Sequence, residues 1–138
     1  MKLALVLADA TRPDVRGTVS ALGLGITQLT VERFPGQFHG GLVLIATPDA
    51  GDSLDHEFSL TLAGPGQSPQ QFAVGAFKGG GPLEQVTMAH SFDMLIGAPG
   101  VYVFRIESGT DSAEARLTVR EAPKANPEGE PVVQGDTK

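Results

Sequence analysis

The chain of 138 residues contains no cysteine. That excludes a disulfide framework, thiol chemistry and a thiolate metal site, and leaves the redox compartment unconstrained. Tryptophan is also absent and tyrosine occurs once. Exposed aromatic platforms for stacking on sugar rings are therefore scarce, which turns the expectation away from carbohydrate recognition. Basic residues are few: 10 Lys and Arg stand against 16 Asp and Glu, for a formal net charge of −6 and a pI near 4.9. A nucleic-acid partner requires a basic face that releases counterions, and none is visible. The acidity favours solubility instead.

Long apolar runs are missing too. None approaches the roughly 20 residues of a membrane span, so no membrane association is expected. Leu3 to Ala8 is apolar for six residues and leads into Ala8-Asp9-Ala10, which has the A-x-A form of a cleavage site. A signal-peptide core needs roughly 7–15 apolar residues, so the segment is predicted to be a buried first strand. The expected location is cytoplasmic, or the virion if the chain is phage-encoded.

What the sequence does have is punctuation and alternation. Its 18 glycines and 10 prolines exceed average usage of roughly 7% and 5%, as suits short strands joined by turns. The apolar fraction of 41% suffices for a core, and a chain of this length buries roughly two thirds of its unfolded surface.

The most informative stretch is Gly100 to Val119. Tyr102, Phe104 and Ile106 alternate along one arm, and Ala113, Ala115, Leu117 and Val119 along the other, which predicts a β-hairpin around Ser108-Gly-Thr-Asp111. Charge selects the register. With that loop, Arg105 faces Glu114, and Phe104 and Tyr102 face Ala115 and Leu117. A slip of two residues would set Arg105 against Arg116 and Glu107 against Glu114.

Earlier in the chain, residues 2–8 and 42–46 are apolar on both faces, as in strands interior to a sheet. Asp9 to Gly17 is predicted to be a loop. Thr18 to Arg33 is extended, with Gly23 and Gly25 marking a bulge or bend that lets one strand serve two sheets. Phe58, Leu60 and Leu62 alternate with Glu57, Ser59 and Thr61, and Phe72, Val74 and Ala76 mark the next strand. Glu84 to Ile96 fits a strand through Val86, Met88, Phe92 and Met94, although Met88, Phe92, Leu95 and Ile96 also share one helical face. The β-branched Val86 and Thr87 favour the strand. The expectation is an all-β, antiparallel immunoglobulin-like sandwich of about eight strands over residues 1–121, with a small closed barrel as the other possibility. Residues 122–138, rich in Pro, Gly and acids, are expected to be a disordered tail.

Candidate chemistry is sparse. Gly51-Asp52-Ser53-Leu54 spells the GDSL esterase motif, but none of His39, His56 and His90 follows an Asp by three residues, as that family's catalytic histidine does. Gly66-Gln-Ser-Pro-Gln70 lacks the final glycine of a nucleophile elbow. In Lys78-Gly-Gly-Gly-Pro82 the lysine precedes the glycines, unlike a phosphate-binding loop, and a hairpin tip is expected. His90, among Val86, Met88 and Phe92, is predicted to be a hydrogen-bonded, half-buried histidine and not a ligand. Asp49, Asp52 and Asp55 recur every third residue and are the best candidates for holding a cation, although the EF-hand spacing is absent and its twelfth position holds Leu60. No cofactor is expected.

Lys2-Leu-Ala-Leu-Val-Leu-Ala-Asp-Ala10 followed by Ser20-Ala-Leu-Gly-Leu-Gly25, together with Pro99-Gly-Val-Tyr-Val-Phe-Arg-Ile106, resembles a family of small bacterial and phage β-sandwich proteins of unknown function. The resemblance covers residues 1–120, implies an immunoglobulin-like fold and carries over no catalytic residue. The function expected from the residues is that of a non-enzymatic structural or protein-interaction module, such as a self-associating component of a larger assembly, a phage particle being one example. Its expected partner is protein, a second copy included. Val101 and Val103, on the outer side of the hairpin, are the predicted interface. The alternative is a small-ligand or metal-binding module using Asp49, Asp52 and Asp55 in the loops at one end.

Overall fold

Alternating side chains force the two arms of the 100–119 segment together, and the computed structural model pairs them in the predicted register. β9 (Gly100–Ser108) and β10 (Asp111–Glu121) match Arg105 with Glu114, Phe104 with Ala115 and Tyr102 with Leu117. The turn is tighter than the four-residue loop predicted. Ser108 and Asp111 already pair, leaving Gly109 and Thr110 to reverse the chain, with Gly109 at φ 60°, a region glycine enters without a Cβ penalty. The structure describes residues 1–13, 18–52, 55–78 and 85–123. The predicted tail lies outside these apart from Ala122 and Pro123, as does the glycine-rich tip after Lys78.

The described residues are all-β, with ten strands and no helix. The remaining strands are β1 (Lys2–Ala8), β2 (Ala10–Pro13), β3 (Val19–Leu22), β4 (Gln28–Val31), β5 (Gly36–Thr47), β6 (Asp55–Ala63), β7 (Gln70–Lys78) and β8 (Val86–Ile96). They form a three-stranded sheet in the order β1-β5-β8, a five-stranded sheet in the order β4-β10-β9-β6-β7, and a β2-β3 pair. All pairings are antiparallel except β4 with β10, which is parallel.

Ten strands replace the eight predicted for two local reasons. The 18–33 segment breaks at Gly23 and Gly25, at φ 63° and 89°, so that β3 joins β2 while β4 joins the five-stranded sheet. The expected bend between two sheets is thus present, but as two strands. The predicted 9–17 loop supplies β2, because Ala10 to Pro13 finds a partner in Val19 to Leu22. The ambiguous 84–96 segment is a strand, β8, held to β5 without a register break.

β5 is interior to its sheet, as its two apolar faces predicted, but β1 is last in the strand order. Its apolar character has another cause. β1 packs along β10, and the Leu7 carbonyl accepts from the amides of Gly25 at 2.7 Å and Ile26 at 3.2 Å. The C-terminal end of β1 is therefore covered, while Lys2 and Ala4 stay exposed.

One core lies between the two larger sheets. Leu5, Leu42, Leu44 and Ile96 from the first meet Leu60, Phe104, Ile106 and Leu117 from the second. Phe104 is fully buried, which stabilises the fold by about 1.5–3 kcal/mol relative to exposure. Its ring centroid is 5.2 Å from that of Phe92 and 6.4 Å from that of Phe72. Phe72 arrives there through a bulge. Leu60 pairs with Ala73 but Thr61 pairs with Gln71, so Phe72 is the extra residue, and its ring leans towards Phe104 at the margin of the core while remaining 38% exposed. Val74, two residues on, is 68% exposed.

Candidate functional site

β9 is the middle strand of the five-stranded sheet, so its outward residues lie on an open face and not at an edge. Inward alternation of Tyr102, Phe104 and Ile106 sends Val101, Val103, Arg105 and Glu107 to that face. The two predicted interface residues are brought together there. Val101 is 43% exposed and Val103 half-buried. Their ladder neighbours are Thr118 and Arg116 on β10, with Ala63 on β6 also beside Val103. Thr118 and Ala63 are small and uncharged, while Arg116 stands directly beside Val103.

Towards the hairpin turn the face becomes charged. Arg105 Nε donates to Glu107 at 2.9 Å, Nη1 to Glu114 at 2.9 Å and Nη2 to Ser112 at 3.1 Å. Hydrogen bonds to Glu107 and then Glu114 hold the Arg105 pKa above its usual value, so it stays a cation. Arg116 shares Glu114 at 3.4 Å. Beside this network lies a depression of about 730 Å³, bordered by Glu57, Ser59, Val74, Ala76, Glu107 and Gly109.

The three aspartates proposed for a cation are not gathered. Asp49 accepts a hydrogen bond from the Met1 amine, which also lies 3.6 Å from Asp111. The hydrogen bond to Asp49 is the main reason the amine is held above its ordinary pKa. Asp52 instead pairs with His56 Nε2 at 3.1 Å. Asp55 is exposed at the start of β6, opposite Lys78. No group of three or more His, Asp or Glu able to hold a metal ion occurs among the described residues. Ser53 and Leu54 of the Gly51–Leu54 motif lie outside those residues.

His90 is half-buried, as its apolar neighbours predicted, with its ring centroid 5.7 Å from that of Phe72, but among the described residues its ring makes no hydrogen bond of the kind expected. One polar pair escaped the sequence. His39 Nδ1 hydrogen-bonds Asp93, because the β5–β8 ladder sets the two residues opposite each other. Only that register could have revealed it, since 54 residues separate them. Ser91 lies nearby on β8, lining a depression of about 280 Å³ with His39, Asp93 and Thr11. Its hydroxyl is 3.4 Å from Thr11 Oγ1 and donates to the Thr11 carbonyl at 3.5 Å. Among the described residues Ser91 has no hydrogen bond to His39, so the nucleophile–base contact that would activate it is not formed.

No helix among the described residues is long and apolar enough to cross a membrane. No protein-family model, curated protein or solved structure matches this chain.

Proposed function

We propose that the chain is a non-enzymatic protein-interaction module that meets other proteins, copies of itself included, through the outer face of its five-stranded sheet. The observation that carries this reading is the exposure of Val101 on that face, near the start of β9, with Val103, Thr118 and Ala63 close by. An apolar patch bordered on its hairpin-turn side by the Arg105, Glu107, Glu114 and Arg116 charges pairs apolar contact area with a polar margin, as interfaces do.

An immunoglobulin-like sandwich is the architecture we assign. β1-β5-β8 corresponds in order to strands A, B and E of that fold, and β10-β9-β6-β7 to G, F, C and C′. Tyr102, at the start of the F-equivalent strand, donates from its hydroxyl to the Ala98 carbonyl at 2.7 Å, the tyrosine corner of such domains. This assignment accords with the resemblance to small bacterial and phage sandwich proteins. A place in a larger assembly, in the cytoplasm or in a virion, fits the same reading.

Static light scattering over rising concentration, paired with a pull-down using the chain as bait, tests the proposal. Association or capture that disappears in Val103→Asp, with the circular dichroism spectrum unchanged, supports it. Association and capture that survive Val103→Asp remove it, as does a chain that stays monomeric at high concentration and recovers no partner. Loss of folding in Val103→Asp would place that valine in the core.

A further inference from the structure

We infer that the depression beside the hairpin turn receives a lysine or arginine side chain carried by an extended segment of a partner protein. This rests on the reading of the five-stranded sheet's outer face as a contact surface and names the chemistry of what it meets. The floor is aliphatic: Val74, 68% exposed, and Ala76 project outward from β7, because Gly75 between them points inward under the Phe58 ring. The border is acidic. Glu57 and Glu107 both lie on the outward side of their strands, on β6 and β9, and flank that floor. Glycine at 109 and serine at 59 keep the intervening surface low.

An apolar floor with an acidic border matches one class of side chain. Lysine and arginine lay their methylene stems on apolar surface and keep the cationic head apart. A neutral aliphatic side chain would leave the carboxylates desolvated without a partner, and an acidic one would be repelled. Glu107 already accepts from Arg105, through Oε2. Among the described residues Glu57 has no ion pair. The chain's charge of −6 favours the approach of a basic segment.

The site is too open to enclose a small free amine, whose binding would require a pocket covering most of its surface. A side chain presented by a polypeptide needs no such enclosure, since contacts along the backbone supply the rest. β7 is last in its sheet, so an extended segment can lie along it while one side chain reaches over Val74.

The test is an amide chemical-shift titration of the full chain with the peptide acetyl-Val-Lys-Val-Lys-Val-amide. Saturable shifts confined to Glu57, Ser59, Val74, Ala76, Glu107 and Gly109, with about tenfold weaker binding in Glu57→Gln, are expected. The same peptide with glutamate for lysine should not bind. Shifts centred on Asp49, Asp52 and Asp111, or equal binding by Glu57→Gln, would overturn the proposal, as would no shift at all. Cadaverine saturating the same amides as tightly as the peptide would overturn the polypeptide source. If the groove amides shift with protein concentration alone, and Arg116→Ala stops them, the occupant is a second copy and the proposal fails. Peptide binding that fails while association remains sensitive to Val103→Asp removes the groove assignment only. Association insensitive to Val103→Asp removes the underlying contact face.

Discussion

The Tyr102 hydroxyl donates a 2.7 Å hydrogen bond to the carbonyl of Ala98, fastening β9 to the turn from which it emerges. The ring of Tyr102 is buried in the core while its oxygen reaches back to the backbone, so one side chain joins packing to turn geometry. Tyr102→Phe keeps the ring and removes the bond. The variant should lose about 1 kcal/mol in urea unfolding with an unchanged m-value. No change in midpoint would mean that the Ala98 carbonyl is equally well satisfied by solvent.

Gly41 and Thr11 hold the β2-β3 pair against the three-stranded sheet. A Cβ placed on Gly41 would come within 2.4 Å of Thr11 Oγ1 and 2.5 Å of its Cγ2, too close for either to remain in place. Gly41→Ala should cost about 1–3 kcal/mol through overpacking. In a Thr11→Gly background the same substitution should cost markedly less, and this non-additivity, measured by a double-mutant cycle, identifies the contact. Equal cost in both backgrounds would show that Thr11 does not meet Gly41.

With the Met1 amine free, its hydrogen bond to Asp49 and the charge of Asp111 raise the folded pKa above the ordinary value of 8.0. A raised folded value means that the protonated amine stabilises the fold. That contribution is complete below pH 8.0 and is lost as pH rises through the folded pKa. Asp49→Asn should therefore lower the titration midpoint of the amine, followed by its reactivity towards an acylating reagent, and should flatten the fall in stability above that pH. An unchanged midpoint would place the main source of the shift elsewhere.

Much of the fold was legible because one periodicity governs most of the chain. The Arg105–Glu114 pairing followed from refusing like charges across the ladder, and the strand at Val86 to Ile96 followed from β-branching at its start. What stayed hidden depended on contacts distant in sequence. Ala10 to Pro13 carries little strand signal alone and becomes β2 only because Val19 to Leu22 lies beside it. The bulge at Phe72 is likewise invisible in the alternation of Phe72, Val74 and Ala76, which suggests one shared face. The extra residue tilts the Phe72 ring towards Phe92 and Phe104, although Phe72 stays 38% exposed, and leaves Val74 further out on the surface. The predicted interface valines needed only strand parity and are on the outer face. The aspartate trio rested on spacing within a loop, and spacing does not determine partners: Asp49 meets the Met1 amine and Asp52 meets His56.

The absence of native cysteine gives direct access to the outer face of the five-stranded sheet. A single Val101→Cys thiol carrying an environment-sensitive fluorophore reports on that face. Leu95→Cys, at an exposed position of β8 in the other sheet, serves as its control. The measurement is emission wavelength across a protein concentration series, repeated with any captured partner. A blue shift at Val101 is expected as complexes form, and none at Leu95. A shift at Leu95 with Val101 unchanged would contradict contact through the outer face.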